Sequence, residues 1–463
     1  MLENSTCLNF TTKRLTAMES GKLPPGIKGG IFGGHFLQFR RDPTGFLQEL
    51  AELGDVTSFK MGGQLAFFLN HPDFTRDLLI TSNAKFVKGR ALQRAKRLLG
   101  EGLLTSEGEA HLRQRRMIQP VFHREKIKSY AEAMTGYAAE MANEWQDDEV
   151  RDIDKEMMRL TLQIVGKTLF SANVEDDADE IGAALTTMIG MFNYLLLPFS
   201  ELLEKLPIPQ VKRFNHAKET LDSIIYGIID ERRKSGEDKS DLLSMLLEAQ
   251  DEESGGKMSD EQVRDECLTI FLAGHETTAN ALTWTFYLLS QNPEKEAKLH
   301  EELSQVFQNQ RLPTIEDLPN LKYTESVLAE SMRLFPPAWA LGRLAIEEHE
   351  FGGYKIPTGS LVISSPFITH RDKRFWTDTE TFLPERWETQ SIKEAEKKYV
   401  YIPFSSGIRG CIGEGFAWTE GILLIATLAK KWKLKLLPEQ KIGLNPLMTL
   451  RPKFGMKMRI GKA

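Results

Sequence analysis

Cysteine is scarce in this chain: Cys7, Cys267 and Cys411 are the only three in 463 residues, and no Cys-x-x-Cys occurs. That spacing excludes a disulfide framework, zinc ribbons, dithiol redox centres and c-type haem attachment, so a thiol that does chemistry must act alone. An apolar N-terminal stretch is also lacking. The first twenty residues, MLENSTCLNFTTKRLTAMES, read as a polar tail over 1–20, with neither a signal peptide nor an anchor helix. Charge of one sign is lacking too, since 59 Lys and Arg against 65 Asp and Glu leave −6. With 41% hydrophobic and 27% charged residues the chain is neither disordered nor fibrous, and its length buries a core too large for a small binding module. Repeats and low-complexity tracts are absent. One uncharged run, 181–200, is long enough to span a bilayer, but Thr186, Thr187, Asn193 and Pro198 within it favour a buried helix and its exit loop. Few cysteines and no anchor point to the cytoplasm, with at most weak peripheral membrane contact.

Helical periodicity dominates, around 127–145, 155–170, 216–234 and 259–291, with strand-like stretches at 56–60, 65–69, 351–356 and 360–364. The fold class expected is mainly α with a small β-rich side, in one catalytic domain over 21–463. Against the global charge, 85–128 holds twelve Lys or Arg and four Glu, net +8. It has few aromatics suited to stacking and no recognition-helix pattern, so nucleic acid is not the expected partner. An acidic protein or an anionic cofactor explains the asymmetry better, with a solvated helix face as the plain alternative.

The most informative stretch is Phe404-Ser-Ser-Gly-Ile-Arg-Gly-Cys-Ile-Gly413, followed at once by a helical pattern from Glu414. Cys411 is thereby presented at a helix start, where backbone N–H groups and the helix dipole favour the metal-ligating thiolate. Gly407, Gly410 and Gly413 let the loop approach a flat ligand, and Arg409 is placed to reach an anionic group on that ligand's rim. This stretch resembles the haem-binding signature of the cytochrome P450 family, Phe-x-x-Gly-x-Arg-x-Cys-x-Gly, matched in full by Phe404, Gly407, Arg409, Cys411 and Gly413.

Further motifs follow in the family's order. Ser259 to Gln262 reads as a capping box opening a helix of roughly 50 Å at about 1.5 Å per residue. In its middle, Ala273-Gly-His-Glu-Thr-Thr278 resembles the family's oxygen-binding motif. On that resemblance Glu276 and Thr277 are the acid and alcohol that relay protons to the oxygen-activating centre, and Gly274 opens space beside the haem. Ala273 fills the position where some ω-hydroxylases bond haem covalently, so the implied cofactor is haem b (iron protoporphyrin IX), non-covalent apart from Cys411 thiolate ligation. Threonines in helices also bond back to their own backbone, the plain reading of the same residues. Glu330-Ser-Met-Arg333 and Phe382-Leu-Pro-Glu-Arg-Trp387 resemble the motifs that give the family a buried triad, here Glu330, Arg333 and Arg386, with Trp387 at the usual Phe. Gly108 to Arg116 is similar to the helix that holds a haem propionate, which implies His111 and Arg115; Arg343 resembles another propionate arginine.

The resemblance implies a cytochrome P450 fold and a haem-thiolate monooxygenase that inserts one oxygen atom from O2 into a C–H bond. Electrons would come from a separate ferredoxin, flavodoxin or flavoprotein reductase, docked on the basic segment containing Arg113 and Arg116. Stretches 98–104, 191–198 and 337–341 are mainly apolar and expected to line the pocket, which implies a hydrophobic substrate. A fatty acid is the first expectation, from likeness to long-chain hydroxylases, with a terpenoid, carotenoid or steroid as alternatives. A haem-thiolate sensor is the reading from another class, but it gains nothing from a proton-delivering pair.

Overall fold

The structure is a computed structural model that describes residues 23–30, 33–172, 178–195, 208–248, 257–308 and 311–463. The expected polar tail over 1–20 lies outside these residues. The longer helices are α1 (Pro43–Leu53), α2 (Arg90–Leu99), α3 (Gly108–Ile118), α4 (Arg124–Glu144), α5 (Ile153–Phe170), α6 (Ala178–Leu195), α7 (Pro209–Ser235), α8 (Leu242–Glu248), α9 (Asp260–Gln291), α10 (Pro293–Val306), α11 (Lys322–Leu334) and α12 (Glu414–Ala429).

Helix α9 organises the rest. Ser259 caps it by accepting the Gln262 N–H at 3.2 Å, with Asp260 and Glu261 in the first turn where the dipole favours acids. From Val263 to Leu289 it is buried on all sides apart from Ala273, Gly274, Thr277 and Tyr287, as a helix threading a large core must be. Phe271 stacks on Phe170 of α5 with ring centroids 4.2 Å apart, and Trp284 stacks on Phe335 while its indole donates to the Leu450 carbonyl. The α6 segment is a helix, as expected for the uncharged run, and no described helix is long and apolar enough to cross a membrane.

The β-rich side is a five-stranded sheet in the order β1 (Val56–Met61), β2 (Gln64–Leu69), β8 (Leu361–Ser364), β5 (Leu341–Ala345), β3 (Phe86–Lys88). The expected strand at 360–364 pairs parallel to β2 and antiparallel to β5, so it belongs to no local hairpin. The hairpin expected at 351–356 is present as β6 (His349–Phe351) and β7 (Tyr354–Ile356), turning through Gly352 and Gly353, both at positive φ. A second sheet joins β4 (Val150–Asp152), β12 (Lys457–Lys462) and β9 (Trp432–Leu436), and β10 (Leu444–Pro446) pairs with β11 (Leu450–Pro452). In the β3–β5 ladder Lys88 lies opposite Arg343. Two cations facing each other across a ladder oppose pairing unless an anion offsets them.

Candidate active site

The loop before α12 is held by its own backbone. Cys411 N–H donates to Phe404 O at 2.9 Å and Gly410 N–H to Gly407 O at 2.9 Å, so the cysteine sits on a tight turn. Gly407 has φ +75°, and a Cβ there would lie 2.6 Å from the Leu79 carbonyl. The demand for glycine at 407 thus comes from the turn and its neighbour. At Gly413 a Cβ would only touch the Phe122 ring at 3.6 Å.

Cys411 itself opens onto accessible space. The Gly413 N–H and the Arg115 guanidinium favour its thiolate, as expected at a helix start, but protein surrounding the sulfur pushes the thiol up to about 11. Helix and arginine therefore do not suffice alone. A metal held at this sulfur would ionise the coordinating thiol outright.

Around this loop five basic side chains meet one carboxylate. Arg115 donates to the Gly410 carbonyl at 2.7 Å, and Arg409 pairs with Glu107 at 2.9 Å. Arg409 also donates to the Phe86 carbonyl at 3.0 Å, so the cation expected to reach a ligand rim is already engaged by protein. Arg343 is 6% exposed with no partner on Nε, and burial, reinforced by Arg409, pushes it down to about 10. His111 is buried, and burial with Lys88, Arg409 and Arg115 pushes it down to about 4. Lys88 was not singled out by sequence. Its ammonium donates to the Leu103 and Ser106 carbonyls at 2.9 and 2.6 Å, and burial pushes it down to about 7. Its only sequence signal is membership of the +8 segment, which the structure divides: Lys88 and His111 face inward, whereas Arg116, Arg124 and Lys128 are exposed. An interior with this excess of positive charge, Lys88 opposite Arg343 in particular, fits a ligand carrying carboxylates. One sulfur donor beside that cluster matches an iron porphyrin with acidic side chains.

The structure brings Glu330, Arg333 and Arg386 together in the interior. Glu330 is fully buried and receives Arg333 through two bonds of 2.9 Å and Arg386 Nε at 3.1 and 3.2 Å. Trp387 adds a donor that phenylalanine lacks: its indole N–H bonds Glu330 Oε2 at 3.1 Å. The connection to the cysteine loop runs through His370. Arg333 donates to the His370 carbonyl at 2.8 Å, and the His370 ring accepts the Ile402 N–H at 2.8 Å, two residues before Phe404.

On α9, Ala273, Gly274 and Thr277 are the accessible residues of an otherwise buried stretch. The Thr277 hydroxyl donates to the Ala273 carbonyl at 2.8 Å, the back-bond that helical threonines make. Glu276 does not share that face, because successive helical residues are about 100° apart. Its Oε1 accepts from Thr449 at 2.5 Å and lies 3.6 Å from Arg451 Nε, while Oε2 has no hydrogen-bond partner. Burial raises its carboxyl above the usual range, with Arg451 opposing. The expectation that Glu276 and Thr277 act side by side thus meets a structure in which the acid is turned into the β10–β11 region. Gly274 is explained by packing: a Cβ there would lie 3.0 Å from Val165 of α5.

A small apolar cavity of about 10 Å³ lies against this helix, lined by Ala95, Leu98 and Leu99 of α2, Leu185, Met188 and Ile189 of α6, Leu272 and Met448. Two stretches expected to line it are represented differently. Of 191–198 only the Met191 side chain lies within the described residues, and it is buried. In 337–341 Trp339 packs instead in the β-side core, its indole donating to the Leu447 carbonyl at 3.0 Å.

A family model described as Cytochrome P450 matches residues 24–458. Among curated proteins the chain is similar to "Cyclooctatin synthase" of Streptomyces melanosporofaciens, 38% identical over 91% of this chain and 92% of that one. It is similar also to "Cyclooctat-9-en-7-ol 5-monooxygenase" of the same organism, 37% identical over 88% of each chain. "Pentalenene oxygenase" of Streptomyces avermitilis is 33% identical over 92% of this chain and 94% of its own.

Proposed function

The chain belongs to the cytochrome P450 family, and from that premise we propose that it oxygenates a C–H bond of a cyclic terpenoid. As a P450 monooxygenase it uses haem b, O2 and electrons from a redox partner, and it binds a hydrophobic substrate. Haem supplies the oxidising chemistry when bound; the chain's own residues hold it, position the substrate and deliver protons. Cys411 is the thiolate ligand to iron. Lys88, His111, Arg115 and Arg343, with Arg409 anchored on Glu107, hold the carboxylates. Residues 21–463 act as one catalytic domain.

The observation that carries the substrate assignment is the pair of relatives named for cyclooctat-9-en-7-ol and pentalenene, and the small, wholly apolar cavity against α9 fits a hydrophobic substrate. Thr277, on the accessible face with Ala273 and Gly274, holds a proton at Oγ1, and Glu276, once its Arg451 contact loosens, recharges it. Exposed Arg116, Arg124 and Lys128 offer a positive surface for an acidic ferredoxin, flavodoxin or flavoprotein reductase.

The test begins with the carbon monoxide difference spectrum of the reduced, haem-loaded protein, where a strongly red-shifted Soret band is expected and is lost in Cys411→Ala. Turnover of cyclooctat-9-en-7-ol and pentalenene under ¹⁸O2 should then give a product carrying one labelled oxygen. Palmitate oxidation with both terpenoids untouched would overturn the substrate assignment.

A further inference from the structure

Residues 100–103 belong to no helix or strand, yet the backbone of Glu101 and Leu103 is bound at both ends by buried side chains from three different elements. Glu101 N–H donates to Asp265 Oδ2 at 2.8 Å, and its carbonyl accepts from Gln114 Nε2 at 2.6 Å. Leu103 N–H donates to Glu266 Oε2 at 2.8 Å, and its carbonyl accepts from Lys88 Nζ at 2.9 Å. Asp265 and Glu266 are on α9, Gln114 on α3 and Lys88 on β3, and all four are 6% exposed or less. Side chains have here replaced a neighbouring strand as partners for the chain.

The glycines explain how the chain comes so close. Gly100 has φ +65°, and a Cβ on it would lie 1.9 Å from the Asp265 carboxylate; one on Gly102 would lie 2.6 Å from the Asp265 backbone carbonyl. Gly100-Glu-Gly102 therefore lies flat on α9. Directly before it, α2 supplies Leu98 and Leu99 to the apolar pocket, and Leu272 of that pocket lies seven residues beyond Asp265, two turns along α9.

We propose that Asp265 and Glu266 are positioning residues for substrate size: by holding Glu101 and Leu103 on the central helix they fix the width of the pocket between Leu98, Leu99 and Leu272. The proposal rests on reading this pocket as the substrate site. Asp265 is held in turn by Arg264 of the same helix, whose Nη1 donates to its Oδ1 at 2.8 Å, and two buried carboxyl groups bonded to one loop commit the wall to one position. Burial pushes the Glu266 carboxyl up to about 8, with Asp265 of the same helix adding and Lys88 of β3 opposing. Glutamine presents a carbonyl oxygen at the same reach as the Glu266 carboxyl and can accept the Leu103 N–H in its place.

The experiment compares haem-loaded wild type, Glu266→Gln, Glu266→Ala and Gly102→Ala in two readouts. Amide hydrogen exchange resolved to 101–104 should be slow in wild type and Glu266→Gln, and about tenfold faster at Leu103 in Glu266→Ala, the loss of one buried hydrogen bond. Spectral titration with pentalenene and cyclooctat-9-en-7-ol, two terpenoids of different bulk, should show their Kd ratio altered about threefold or more in Glu266→Ala and restored by Glu266→Gln. Gly102→Ala lifts the same loop without touching Glu266 and should reproduce both changes if Glu266→Ala fails to load haem. Unchanged exchange at Leu103 in both disruptive variants would overturn the anchoring, and faster exchange with an unchanged ratio would overturn the size selection. Failure of both terpenoids to perturb wild type would overturn the pocket reading itself, which the exchange data leave separately legible.

Discussion

Replacing Glu330 by alanine strands two guanidinium groups in the interior. Arg333 is fully buried and Arg386 is 7% exposed, and both direct donors at the lost carboxylate, as do the Leu383 N–H and the Trp387 indole. Removing one partner of a buried ion pair costs about 3–5 kcal/mol, chiefly because the remaining charge is uncompensated. Arg333 retains three carbonyl acceptors, on His370, Thr379 and Thr381, which argues for the middle of that range, about 4 kcal/mol. Unfolding entropy of about 2.1 cal/mol/K per residue, over 463 residues, is roughly 1 kcal/mol/K, so the thermal midpoint should fall by about 4 °C. Trp387→Phe removes a single donor to a charged acceptor and should lower the midpoint by about 1–2 °C. Melting of the haem-loaded proteins, followed at 222 nm by circular dichroism and in the Soret band, measures both. The Soret signal in Glu330→Ala should fall before the helical signal, because His370 links the triad to the cysteine loop. A midpoint within about 1 °C of wild type, or a variant less affected than Trp387→Phe, would refute the argument that Glu330 neutralises both arginines.

Three other outcomes are expected. Thr277→Ala loses only a back-bond to Ala273, so stability should change by less than about 1 kcal/mol while reducing equivalents go to hydrogen peroxide and coupling falls; Thr277→Ser should restore coupling, and unaltered coupling in the alanine variant would remove Thr277 from the proton path. Arg451→Met removes the cation that opposes the raised Glu276 carboxyl, so the alkaline limb of the product-formation profile, where the proton-delivering acid ionises, should move to higher pH, and an unmoved limb would dissociate Arg451 from Glu276. Glu420 of α12 is fully buried, and burial, opposed by the Thr278 hydroxyl, pushes its carboxyl up to about 8 from 4.5. Because the folded state then holds a proton that the unfolded state releases, wild-type stability should fall as pH rises from about 5 to 8. Glu420→Gln should flatten that fall by a few kcal/mol, and an identical slope in both proteins would show that Glu420 titrates normally.

Much of the site was legible because its pieces are local in sequence. The ten residues from Phe404 to Gly413 carry the turn, the cysteine and the following helix together, and the 3.6-residue periodicity of 259–291 survives in a helix capped at Ser259. Glu330 and Arg333 lie one turn apart, so their pairing follows from helix geometry; that Arg386 joins them rested on resemblance, and the structure places its Nε 3.1 Å from Glu330 Oε1. Trp387 was noticed as a departure from the family pattern, but the partner of its indole N–H could not be read from the chain.

What the sequence could not determine depends on register and packing between distant segments. Lys88 faces Arg343 only because β3 pairs with β5 across 255 positions at that register, and one residue of slip would turn either cation away. The direction of Glu276 was decided likewise: its neighbours Thr449 and Arg451 lie more than 170 residues away, and helical periodicity sets the angle between Glu276 and Thr277 but not which face the core takes. The anchoring of Glu101 and Leu103 uses α3, α9 and β3 at once, elements that share no local pattern. Local spacing thus determined the cysteine, its loop and the family chemistry, because those are properties of ten or twenty consecutive residues. The charge around the site, the orientation of its acid and the wall of its pocket were decided only when the chain folded, because each depends on which distant residue is brought alongside.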